Sequence, residues 1–238
     1  MHKVGKIILL VLFSIIIAGG IGFLAYEIPR QGDSRKALDR NKEKTDTRAS
    51  ALDKEYTDDP STGYILIGDS RFVGMDLACD ITDNVTNHQY VVAKVGEGYN
   101  WFVNSALSQA EDIKKTHTWI SKWKYVICLG VNDLWDLDKY KDEYLSLKND
   151  YDLTLVSVGP TGPSAKVSND DVTEFNNKLR DFCDRNSISY IDYNTVISRE
   201  GFTTADGLHY TDAVYKRIYS IIEDGMKNNK VSPSTRSE

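Results

Sequence analysis

The side chains best suited to chemistry in this sequence fall in five short stretches. "GDSR" sets Asp69 and Ser70 directly after an apolar run, Ile65 to Ile67. "GEGYNW" (96–101) is a glycine-rich turn. "GVND" offers Asn132 and Asp133, "GPT" (159–161) has no ionisable group, and "DGLH" pairs Asp206 with His209. Together they hold the parts of a nucleophilic acyl-transfer site. A serine hydroxyl is a weak nucleophile until a base removes its proton. His209 is the candidate base through one ring nitrogen. Asp206, three residues earlier, can turn back to the other nitrogen and fix the tautomer. The charge that builds on a carbonyl oxygen needs donors already aimed at it. The Ser70 N–H, a backbone N–H of the Gly96–Gly98 turn and the Asn132 amide are the candidates. Gly98 is read as allowing an unusual backbone angle and a close approach.

Each residue alone has an ordinary role. Ser70 suits a helix cap, Asn132 a turn, and His209 a polar surface. Asp69 and Asp133 read as acceptors for loop amides. Arg71, Tyr99, Trp101 and Trp135 follow the motifs closely and are candidate substrate contacts. What gives the set meaning is the elements that position it. Five short, β-branched runs ("YILI", "YVVAKV", "KYVICL", "DLTLVSV", "SYIDY") alternate with helical patterns, such as Val172, Phe175, Leu179 and Phe182 at helical spacing. Strands alternating with helices imply a parallel sheet covered on both faces. In such sheets, ligands bind beyond the carboxyl ends of the strands. Four of the five motifs directly follow a strand, and "DGLH" precedes the last helix, so all are expected on that one edge.

At this point the sequence resembles the SGNH (GDSL-type) hydrolases, through "GDSR", "GEGYN", "GVND" and "DGLH" in that order. The resemblance spans about residues 64–228. It implies a flavodoxin-like three-layer α/β/α sandwich with a five-stranded parallel sheet, in agreement with the five runs. It also implies Ser70, His209 and Asp206 as the catalytic set, and Ser70, Gly98 and Asn132 as the oxyanion hole. No metal or organic cofactor is implied. Two features depart from the family pattern. Two glycines, Gly96 and Gly98, compete for the oxyanion position, and "SVGPTGP" replaces the Asn-Pro often found after the fourth strand.

Composition bounds the rest. The 238 residues are 41% apolar and 27% charged, which is globular, and the net charge of −6 argues against a nucleic-acid partner. The three cysteines (Cys79, Cys128, Cys183) are too scattered for a disulfide framework, and nothing in their spacing supports a Cys79–Cys183 bridge. Cys128 reads as a core residue, and the four histidines do not cluster at metal-ligand spacing. Residues 1–6 carry Lys3 and Lys6. Residues 7–26 are uncharged and, as a helix, span about 30 Å, enough for a bilayer core. Lysines before this run predict a single-pass anchor with the remainder outside, against the competing reading of a cleaved signal peptide, for which the run is long and no clean small-x-small site follows. Residues 27–60 are dense in charge of both signs and read as a stalk. The domain is expected at 61–228, with a disordered tail at 229–238. The expected activity is hydrolysis of acyl esters, O-acetyl groups of cell-surface glycans being the leading substrate class. Two rivals stand beside it: an O-acetyltransferase working with a multi-span acyl-donor partner, and a non-catalytic glycan-binding module.

Overall fold

The computed structural model describes residues 61–82, 84 and 86–228. The anchor, the stalk and the tail expected from sequence lie outside them. Among the described residues no helix is long and apolar enough to cross a membrane.

Five strands form one sheet: β1 (Thr62–Gly68), β2 (Gln89–Ala93), β3 (Lys122–Cys128), β4 (Asp152–Val156) and β5 (Ser189–Ile191). Their order is β2-β1-β3-β4-β5, and every pairing is parallel. The helices are α1 (Ser70–Cys79), α2, α3 (Leu137–Asp150), α4 (Asn169–Asn186), α5 (Tyr193–Glu200) and α6 (Asp212–Asn228). α2 is composite: an α-helical turn Tyr99–Trp101, a π-helical stretch Phe102–Ala106 and an α-helical body Leu107–Thr116.

Alternation along β1 builds the two cores. Ile65 and Ile67 point to one face and meet Phe102, Ala106, Tyr140, Tyr144, Phe175 and Leu179 of α2, α3 and α4. Leu66 points to the other and meets Phe72, Met75, Ile197, Ile218 and Ile222 of α1, α5 and α6. Strands buried on both faces must be apolar at nearly every position, which is why "ILI" shows no alternation. Val172, Phe175, Leu179 and Phe182 are all buried along α4, as their spacing predicts. The result is a three-layer α/β/α sandwich. Cys79, Cys128 and Cys183 are free thiols, and Cys128 is buried in the core.

The strand order fixes where a site can form. From β1 the chain goes to β2 on one side, then crosses to β3 on the other. Loops leaving β1 and β3 therefore diverge to opposite faces and leave a crevice at the strand ends. Gly68 pairs with both Ala93 and Cys128, so the loops after β1, β2 and β3 leave the sheet at the same level.

Candidate active site

Ser70 is the first residue of α1, and the fold puts it there for local reasons. Asp69, in extended backbone, caps the helix by accepting from Arg71 N at 2.9 Å. The N–H of a first helical residue has no intrahelical acceptor. The Ser70 N–H is therefore available to an anion, as the oxyanion reading requires. Asp69 is 3% exposed, and burial pushes its carboxyl up to about 6, against the lowering effect of the Arg71 N–H, the Arg71 guanidinium and His209.

His209 reaches Ser70 from the loop between α5 and α6. The bridge between Thr204 and Tyr210 and the Ala205 N–H donating to the His209 carbonyl at 2.8 Å close that loop. Gly207 sits at φ +89°, and a Cβ there would overlap Ser164 and Ala165, so the tight passage needs glycine. Asp206 then folds back: Oδ1 accepts from the N–H groups of Leu208 (2.9 Å) and His209 (2.8 Å), while Oδ2 lies 2.6 Å from His209 Nδ1. Burial acts to raise the Asp206 carboxyl. The His209 backbone N–H, the His209 ring and the Leu208 N–H outweigh that and hold it well below the usual carboxylate range. An ionised carboxylate only accepts, so Nδ1 carries the ring proton. Nε2 is left as the acceptor, 2.8 Å from Ser70 Oγ. Ser70, His209 and Asp206 are thus brought into one hydrogen-bonded line.

The oxyanion candidates are tied together by their backbone. Asn132 Nδ2 donates to the Glu97 carbonyl at 2.8 Å, which fixes the amide orientation and links the β3 loop to the glycine turn. Nδ2 has a second hydrogen for a ligand. Asp133 accepts from Tyr99 N at 2.7 Å through Oδ2 and from the Tyr140 hydroxyl at 2.9 Å through Oδ1. Its carboxyl is raised by burial, opposed by those two donors. Asp69 and Asp133 therefore both hold backbone amides, but at the starts of helical turns (Arg71 in α1, Tyr99 in α2) rather than in loops as read from sequence.

The expectation for Gly98 holds in one half only. Its φ of −147° is open to any residue, and the left-handed angle belongs to Gly96 at φ +75°. The close approach is real, since a Cβ at Gly98 would overlap the Asp133 carboxylate, whereas one at Gly96 meets nothing. The two alanine variants should separate accordingly. Gly98→Ala displaces Asp133 and the turn it holds, so kcat should fall by about 10²-fold, the scale of losing an oxyanion donor. Gly96→Ala should cost about 1 kcal/mol of stability from backbone strain with turnover retained. Thermal unfolding and steady-state kinetics on both variants check this; the opposite pattern would assign the oxyanion turn to Gly96.

Two candidate substrate contacts are corrected. Arg71 is 3% exposed and turns inward, its guanidinium donating to the carbonyls of Leu208, Gly159 and Pro160. Trp101 is 7% exposed and packs in the core shared with α2, α3 and α4. In both cases, sequence adjacency to a motif was mistaken for adjacency to the groove: a helical turn carries the next side chain to a different face. Tyr99 is half-buried, edge-on to Tyr140 at 5.3 Å. Trp135, in the 3₁₀ turn Leu134–Asp136 just past Asn132, is 79% exposed. Sequence reading missed Tyr140 and the loop carbonyls that Arg71 binds; a tyrosine at helical spacing carries no mark of what its hydroxyl reaches. Among the described residues no group of three or more His, Cys, Asp or Glu side chains could hold a metal ion.

The profile of the family described as GDSL-like Lipase/Acylhydrolase matches residues 45–222. No curated protein matches the chain. Several solved structures share the fold at low identity. The C-terminal catalytic domain of Streptococcus pneumoniae peptidoglycan O-acetyltransferase A, bearing a methylsulfonyl adduct, is 21% identical, with a TM-score of 0.51 over 70% of this chain and 93% of that domain. A member of the lipolytic G-D-S-L family from Veillonella parvula is 15% identical, with a TM-score of 0.52 over 68% of this chain and 97% of that one. A candidate SGNH hydrolase from Slackia heliotrinireducens is 15% identical, with a TM-score of 0.56 over 69% and 98%.

Proposed function

Because the chain belongs to the GDSL-like lipase/acylhydrolase family of serine ester hydrolases, we propose that it is a membrane-anchored, extracytoplasmic esterase that removes acyl groups, chiefly O-acetyl groups, from cell-surface glycans. The observation that carries the catalytic part is the line Ser70 Oγ, His209 Nε2, His209 Nδ1, Asp206 Oδ2, joined at 2.8 and 2.6 Å.

Each step follows from that line. Ser70 Oγ attacks the acyl carbon while its proton passes to His209 Nε2. Asp206, kept ionised, stabilises the imidazolium and holds the ring in place. The oxyanion lies against the Ser70 N–H, the Asn132 amide and the turn at Gly98. His209 then returns the proton to the leaving alcohol oxygen, whose bond to the acyl carbon breaks. Water repeats the cycle on the acyl-enzyme, and the acid leaves with Ser70 restored. A sugar hydroxyl in place of that water would make the same acyl-enzyme a transferase. The proposed rim for the alcohol portion is Trp135 and Tyr99, since an exposed indole and a half-exposed phenol offer flat faces to a sugar ring.

The anchor rests on sequence alone: lysines, then twenty uncharged residues, then a charged stalk. Full-length protein in detergent should release acetate from acetylated sugars and p-nitrophenol from its acetate. A sugar acceptor that becomes acetylated at the expense of free acetate would assign transfer instead. In intact cells, added protease should cut the stalk near residues 35–54 and release the domain. A protected domain, or a soluble form beginning near residue 27, would overturn the anchor.

A further inference from the structure

Arg71 stands next to the nucleophile and has been left without a role. Its environment is unusual for a cation. The side chain is buried, and its three hydrogen-bond acceptors are neutral backbone carbonyls: Leu208 from Nε at 3.1 Å, Gly159 from Nη1 at 2.8 Å and Pro160 from Nη2 at 3.1 Å. The guanidinium lies over the Tyr210 ring, 4.9 Å from its centroid, and the Tyr210 hydroxyl donates to the same Pro160 carbonyl at 2.5 Å. Gly159 admits this packing because a Cβ there would overlap Tyr193 and Tyr210. Apolar residues of similar volume often stabilise such a site as well as a buried charge does. Stability alone is therefore a weak reason for an arginine here.

What the guanidinium does is join three segments. It is carried by the residue after Ser70. It binds the carbonyl of the residue before His209. It also binds the carbonyls of Gly159 and Pro160 in the loop after β4. The planar fork sets all three directions at once, which a lysine cannot do. The other bonds around His209 run differently. Asp206 to His209, Ala205 to His209 and the Thr204–Tyr210 bridge are internal to the 201–211 loop, while Gly207 is joined to Gly162 at 2.7 Å. Apart from the reactive His209 Nε2–Ser70 Oγ contact itself, these shape the loop without tying it to β1 or α1.

We infer that Arg71 is the positioning residue of the catalytic site: it holds the Leu208 carbonyl, and with it His209 Nε2, in register with Ser70 Oγ. This rests on the esterase reading above. Loss of the fork leaves the Asp206–His209 pair intact inside its loop and lets the distance to Ser70 drift. A displacement of about 1 Å in a reacting geometry costs about 10²-fold.

The test compares Arg71→Met and Arg71→Lys with wild type on p-nitrophenyl acetate, with near-UV circular dichroism to verify folding. Both should lose about 10²-fold in kcat with KM little changed, and a fluorophosphonate should label Ser70 correspondingly more slowly. The downfield Nδ1 proton resonance of His209 should persist, because its partner moves with it. In a His209→Ala background, Arg71→Met should cause no further loss of labelling rate, since there is no base left to position. If Arg71→Met does not fold, Arg71→Lys, which keeps the buried charge, carries the same comparison. Unchanged kcat in a folded variant, or a full additive loss beside His209→Ala, would overturn the inference while leaving the esterase reading standing. A wild-type protein with neither turnover nor labelling would overturn both.

Discussion

Ser70→Ala should lower kcat for ester turnover by about 10⁶, the scale of losing a triad nucleophile. Labelling by a fluorophosphonate should disappear with it, because the bond to phosphorus forms on Oγ. The fold should remain. Ser70 is almost fully buried at the start of α1, and the cap there comes from Asp69, which the substitution leaves alone. His209 loses one partner at Nε2 but is partly exposed, so water can replace it. Residual activity above the uncatalysed rate is expected from the oxyanion donors. Labelling that persists at full rate in the variant would mean that a different residue is the nucleophile.

Asp206→Asn is expected to cost about 10⁴ in kcat, through a tautomer rather than through lost shape. The structure makes the argument specific. Asp206 Oδ1 accepts from two backbone N–H groups, so an asparagine keeps its oxygen there. Its Nδ2 then faces His209 Nδ1 as a donor. The ring must move its proton to Nε2, which now points a hydrogen at Ser70 Oγ and can no longer take one. Kinetics on p-nitrophenyl acetate measure the loss, and unfolding should show little change because the loop turn survives. Asp206→Ala, lacking both functions, should lose stability as well. Combined with Ser70→Ala, the Asn substitution should add almost nothing, since the three residues act as one unit. Equal additive losses would show that Asp206 acts outside the line that joins Ser70 and His209.

The parts of this architecture that were legible in the sequence share a cause: they depend on local pattern. The five strands appear as β-branched runs because a parallel strand buried on both faces must be apolar throughout. The motifs that follow β1, β2, β3 and β4 sit on one edge because parallel strands all end there, and the loop between α5 and α6 brings "DGLH" to it. α1 and α5 were not read as helices. α1 is short, with Gly74 in its interior, and its apolar residues Phe72, Val73, Met75, Leu77 and Ala78 are spread around it; Leu77 is 63% exposed. α5 is only eight residues long. Arg71 and Trp101 misled for a different reason. Their roles depend on partners 88 and more residues away, such as the Gly159 carbonyl, or on the core formed by three helices. Nothing in the neighbouring sequence encodes such a partner. Trp135, a candidate groove residue from sequence, stands exposed just past Asn132.

The π-helical stretch Phe102–Ala106 in α2 has a consequence for which sequence changes the fold can absorb. A π turn holds one residue more than the α turn it replaces, and such stretches recur at functional sites. Here it joins two parts with separate obligations. Ahead of it, Tyr99 must present its N–H to Asp133. Behind it, Ala106 and Ala110 must face the sheet. Substitutions within 102–106 keep the residue count and leave both parts in phase. Deleting a single residue there removes the extra residue of the π turn, and a return to α-helical winding still completes the same full turn, so both parts stay in phase. The helix would keep both its core face and its grip on the glycine turn. Related sequences should therefore tolerate one residue fewer in this stretch, with the π turn replaced by ordinary α winding, better than they tolerate a deletion elsewhere in α2.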